Sequence, residues 1–157
     1  MRAAVDAERE SHRAALAAAS MFGGGVDRED IVGIARTLQD LAGSLEEAAY
    51  AMSQVSRRAA PWDALAGVIR DGVREIAAAI DHLDGTGADC HAHLDRADEL
   101  YAEWRNVVRP ARARALGQGA EPRAAVGVDI ALTRLERAQA ACRGAGRAVR
   151  SVALKHA

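Results

Sequence analysis

Between Ile31 and Val55 the apolar residues Ile31, Ile34, Leu38, Leu41, Leu45, Ala48, Ala49, Met52 and Val55 recur at spacings of three and four. Side chains at those spacings return to one face of a helix, so the run predicts a single long amphipathic helix. Asp27 is a suitable N-cap, Asp30 follows three residues later, and the helix is expected to run to about Arg57. A stripe of this width must be covered by other elements, and composition says which kind. Aromatic residues make up only 3% of the chain and alanine about a quarter. Small side chains suit closely spaced helices far better than a pleated sheet. No segment alternates with period two. The expected fold is all-α.

Four further helices can be read. The first spans about Ala3 to Met21 and ends at Gly23-Gly24-Gly25, which no helix interior would retain. The third opens at Pro61, a favoured first helical position, and carries Trp62, Leu65, Ile69, Val73, Ile76, Ile80 and Leu83 on one stripe. Asp84-Gly85-Thr86-Gly87 stops it. The fourth runs from about Asp89 through Leu94, Ala97, Leu100, Tyr101, Trp104 and Val108, with Pro110 marking a kink or stop. Residues 111–123, rich in Arg, Gly and Pro, read as a loop. The last helix, about Ala124 to His156, aligns Ile130, Leu135, Ala138, Cys142, Ala145, Val149 and Val152. The expectation is an antiparallel bundle of about five long helices.

With 157 residues, 27% of them charged, the chain suits one folded domain. Twenty-one basic and 22 acidic residues give a net charge of −1, which excludes the global basicity of a nucleic-acid binder. No apolar run approaches the roughly 20 residues of a transmembrane helix. Two cysteines, Cys90 and Cys142, are too few for a disulfide framework, and the charged N-terminus has no signal-peptide core. A cytoplasmic protein, with peripheral contact to the inner membrane face as an option, is the expectation.

Several segments resemble one known family. Asp27-Arg28-Glu29-Asp30-Ile31 opening a long helix that finishes in Glu46-Glu47-Ala48-Ala49, Ala97-Asp98-Glu99-Leu100-Tyr101, and the C-terminal Leu135-Glu136-Arg137-Ala138 and Val152-Ala153-Leu154-Lys155-His156-Ala157 are similar to the PhoU-like phosphate-transport regulators. The likeness is to the branch that accompanies Pit-type phosphate transporters. It implies two tandem three-helix bundles with the first helix absent: residues 1–58 as the remnant of one bundle, 60–157 as the second. It also implies a non-enzymatic accessory protein acting by contact with a phosphate transporter or another membrane-associated protein. An incomplete first bundle leaves Ile31, Ile34, Leu38, Leu41 and Leu45 as an apolar groove for a partner helix or a homodimer, unless the chain given is a truncation.

The family's acidic metal motifs are degenerate in this chain. They fall on Glu8 and His12, on Gln39, Asp40 and Gly43, on Leu94 and Asp98, and on Ala140 and Gly144. Carboxylates one helical turn apart are needed to hold a cation cluster, so the resemblance implies that the family's metal cofactor is lost here. As a different class of function, Glu8, His12 and Asp40 could ligate a transition metal, or Cys90 with His93 a zinc ion. Each pair also reads as an ordinary polar helix surface. Gly23-Gly24-Gly25 precedes a helix as phosphate cradles do, but Asp27, Glu29 and Asp30 would repel an anion there. His82 is placed to cap the third helix, and Arg109, Arg112, Arg114 and Arg123 to form a basic patch around the long loop.

Overall fold

The computed structural model describes residues 27–56, 60–83, 88–117 and 121–155. Those residues form four α-helices: α1 (Arg28–Ser53), α2 (Trp62–Asp81), α3 (Ala88–Ala115) and α4 (Pro122–Lys155). The all-α expectation holds for them, and no strand occurs among the described residues. The helix expected over Ala3–Met21 lies outside them, and with it Glu8, His12 and the triple glycine.

The longest helix is the axis of the bundle. Its 34 residues span about 51 Å at the usual rise. Helix α1 packs antiparallel on one side of α4, tied by Lys155 to Asp30 at one end and by Arg134 Nη1 to Glu47 Oε2 (2.6 Å) at the other. Helices α2 and α3 form an antiparallel hairpin on the other side, both contacting α4. One core cluster runs through all four helices, from Ile34, Leu38 and Leu41 of α1 to Leu65, Ile69, Ile76 and Ile80 of α2, Leu94 and Trp104 of α3, and Leu132, Leu135 and Val149 of α4.

Alanine makes this arrangement possible. Ala131, Ala138 and Ala145 are fully buried on α4 at seven-residue intervals. Side chains that small let neighbouring helices approach closely. The same reasoning applies at Gly72, whose added Cβ would lie 3.4 Å from Cys142 Sγ, and at Gly127, where it would lie 3.2 Å from Val55 Cγ1.

Helix ends refine the sequence expectations. Asp27 is the N-cap of α1 with extended backbone, but its side chain makes no capping bond; Glu29 and Asp30 supply the negative charge that suits the helix N-terminus. The helix ends at Ser53, four residues before the expected Arg57. The indole N–H of Trp62 donates to Ser56 O (3.1 Å), fixing the turn into α2. Pro61 is the N-cap of α2, one position before the expected one, and its carbonyl accepts from Leu65 N.

Two expectations are overturned. The first is the loop over residues 111–123: of the kink or stop expected at Pro110, the stop does not occur, and α3 continues through it to Ala115. Proline forfeits one helix bond, but the turn beyond is anchored by Ala111, 1% exposed, and by Arg112, which reaches across to α4. Glu121 then caps α4 by accepting from Arg123 N and Ala124 N, with Pro122 at the first helical position, so the connection between the helices is short. Arg109, Arg112, Arg114 and Arg123 are therefore helical, not members of a basic loop. The second correction is Ile130, which is 52% exposed; Val128 and Leu132 take the core positions expected of it.

Candidate functional site

The apolar stripe expected as an open groove is closed. Ile31, Ile34, Leu38 and Leu41 are all buried, and Leu45 packs against the same core. The mate of this stripe is α4, so an intramolecular helix occupies the place proposed for a partner. Asp40 is exposed on α1. Asp98 on α3 is exposed and bound by Arg150 Nη2 at 3.1 Å. No group of three or more His, Cys, Asp and Glu side chains is gathered for a metal ion among the described residues.

Cys90 and His93, one turn apart, are drawn in different directions. Cys90 is fully buried and burial pushes its thiol up, partly offset by Arg150. His93 is half-exposed: its Nδ1 lies 2.8 Å from Glu75 Oε2 and its ring stacks on His82 with centroids 5.6 Å apart. His82 closes α2 through its backbone N–H to Ala79 O, while its imidazole is used in that stack. Cys142, enclosed in the core, is pushed up to about 12 by burial. A thiol so placed remains protonated and packs as a small hydrophobe.

The most chemically varied surface is the seam between α3 and α4. These helices run antiparallel, so α3 presents Asp98, Tyr101, Arg105, Arg109 and Arg112 opposite Arg150, Arg147, Arg143, Ala140 and Glu136 of α4. Acid–base clusters close both ends. At one, Arg112 Nε lies 3.1 Å from Asp129 Oδ1 and its Nη1 2.9 Å from Glu136 Oε1, while Nη2 donates to Thr133 Oγ1. At the other, Arg150 bridges Asp95 and Asp98 at 2.9 and 3.1 Å.

Between these ends the pairing fails. Arg105 and Arg109, one turn apart, are exposed, and among the described residues neither forms an ion pair. The Arg143 guanidinium lies 4.0 Å above the centre of the Tyr101 ring instead of on a carboxylate. Tyr101, Trp104, Arg105, Val108, Arg109, Glu136 and Ala140 enclose a concavity of about 260 Å³. Its floor is Trp104 and Val108, both buried, and it exists because Ala140 is too small to fill the space facing two large aromatics. The indole N–H of Trp104 is buried with no acceptor among the described residues, an arrangement that costs about 1–3 kcal/mol. A second recess, lined by Asp98, Gln139, Arg143, Arg147 and Arg150 among others, has room for about one water molecule (20 Å³).

The sequence holds a signal for this seam beyond the local Arg cluster. After Glu136 no acidic residue occurs through Ala157, while Arg137, Arg143, Arg147, Arg150 and Lys155 do. Arg143, Arg147 and Arg150 recur at helical spacing and so share one face. What the sequence hides is that this face lies against α3, since the two helices meet only on folding. No family model, no curated protein and no solved structure matches this chain. No helix among the described residues is long and apolar enough to cross a membrane.

Proposed function

We propose that the protein is a non-enzymatic accessory regulator of inorganic phosphate transport that works by docking helical surfaces onto a membrane transporter. The reading joins the sequence resemblance, which falls mainly on the mutually packed α1 and α4, to one structural observation. At one end of the bundle four large apolar residues remain in water: Tyr50 (71% exposed) on α1, Leu116 (54%) after α3, and Val126 (59%) and Ile130 (52%) one turn apart on α4. The Glu47–Arg134 pair holds α1 and α4 together at this level. Exposed apolar side chains at one end of a bundle suit a contact site, and tyrosine is favoured there.

The test is radiolabelled phosphate uptake in cells of the source strain with the gene deleted. Uptake is expected to change on deletion and to return with the wild-type gene but not with Ile130→Glu. The variant should fold as the wild type does, since Ile130 is exposed. Uptake indifferent to deletion would overturn the proposal.

A further inference from the structure

We propose that the α3–α4 concavity binds a compact organic anion, its phosphate-like head held by Arg105 and Arg109 and its apolar part laid over Trp104, Val108 and Ala140. This site is distinct from the apolar end of the bundle and does not depend on the transport reading.

The charge arrangement selects an anion. Two guanidiniums one turn apart on one helix face can close together on a tetrahedral oxyanion. Neither is paired with a carboxylate among the described residues. The one acid on the wall, Glu136, is engaged by Arg112. Beside the concavity, the Arg143 guanidinium lies over its Tyr101 wall, 4.0 Å from the ring centre. The lining thus carries two guanidiniums against one carboxylate, although the protein as a whole carries a net charge of −1.

The boundaries select a small ligand. A nucleic acid or other long polyanion needs a continuous basic track. Here the unpaired arginines stop where Arg112 meets Asp129 and Glu136, and again where Arg150 meets Asp95 and Asp98. The floor selects an organic molecule. About 260 Å³ exceeds what an inorganic oxyanion fills, and the space beyond the arginines is walled by an indole, a valine and an alanine. A ring or short hydrocarbon there would bury apolar surface that phosphate alone cannot.

Phenyl phosphate is the simplest probe with both features, titrated calorimetrically into the full chain beside inorganic phosphate. Phenyl phosphate is expected to bind at one site per chain and at least about tenfold more tightly than inorganic phosphate. The double substitution Arg105→Gln with Arg109→Gln should weaken it at least about tenfold, and Ala140→Tyr, which fills the concavity, should abolish binding. Arg114→Gln, at the end of α3 and outside the concavity, should leave binding unchanged. Equal affinity for the two probes, binding untouched by either groove variant, or no binding at all would each overturn the proposal. Vesicles of phosphatidylglycerol distinguish a lipid headgroup from a free ligand. Co-sedimentation that the double variant loses, without binding of phenyl phosphate in solution, would overturn the compact-ligand assignment.

Discussion

Helix α4 is shared by two interfaces built on opposite principles. Toward α1 it is dry: Ile34, Leu38, Leu41 and Ala48 join Ala138, Ala145 and Val149 in the core, and single ion pairs stand only near its edges. Toward α3 it is ionic: Arg112 and Arg150 each bridge two carboxylates, and between them the helices stand apart around exposed cations. The difference follows from side-chain size. Leucine and isoleucine against alanine interlock with little left over, whereas Tyr101 and Trp104 against Ala140 leave a trough that no neighbour fills. The dry interface carries stability; the ionic one leaves surface chemistry available for a ligand.

The sharpest way to break that comparison is to damage the dry interface. Leu41→Ala, removing a side chain 1% exposed, should destabilise by about 2–5 kcal/mol in a denaturant titration. Leu38→Ala should behave alike, and an unmoved midpoint would show that the stripe is not core. A smaller effect of opposite sign is expected in α3. Pro110 is exposed within a continuous helix, so Pro110→Ala should restore a backbone bond and stabilise by about 1–3 kcal/mol. Destabilisation instead would mean that Pro110 shapes the end of the seam.

Arg112→Ala comes next, with an expected loss of about 1 kcal/mol. Its side chain is about one-third exposed, and solvent screening limits what even a bridged arginine contributes. The loss should shrink in high salt, which melting curves at two ionic strengths will show. Glu47→Ala should be smallest, within about 0.5 kcal/mol, because both partners of its pair with Arg134 are exposed. A Glu47 effect as large as that of Leu41 would erase the distinction between packing and edge charge.

The apolar periodicity of residues 31–52 and 62–83 was legible because each turn of α1 and α2 repeats the same instruction. All seven residues expected on the α2 stripe are buried. Local punctuation was less reliable. Pro110 carries a strong stop signal, yet the chain beyond it gains Ala111 in the core and the Arg112 bridges to α4, and these tertiary contacts outweigh the missing bond. Ile130 failed for the opposite reason: it is apolar, but the rotation of α4 that buries Val128, Ala131 and Leu132 leaves it outside.

Sequence by itself determined that this chain is helical, where most of the helices run and which residues of α1 and α2 lie inside, since those properties follow from spacing along one strand of backbone. Only the tertiary structure decided what covers the α1 stripe. Periodicity shows that a face must be buried but is silent on its mate, and the mate proved to be α4, nearly a hundred residues away. The seam was decided there too. Arg105 and Arg109 of α3 and Ala140 of α4 belong to helices that touch only after folding, so the concavity they line could not be read from either segment alone.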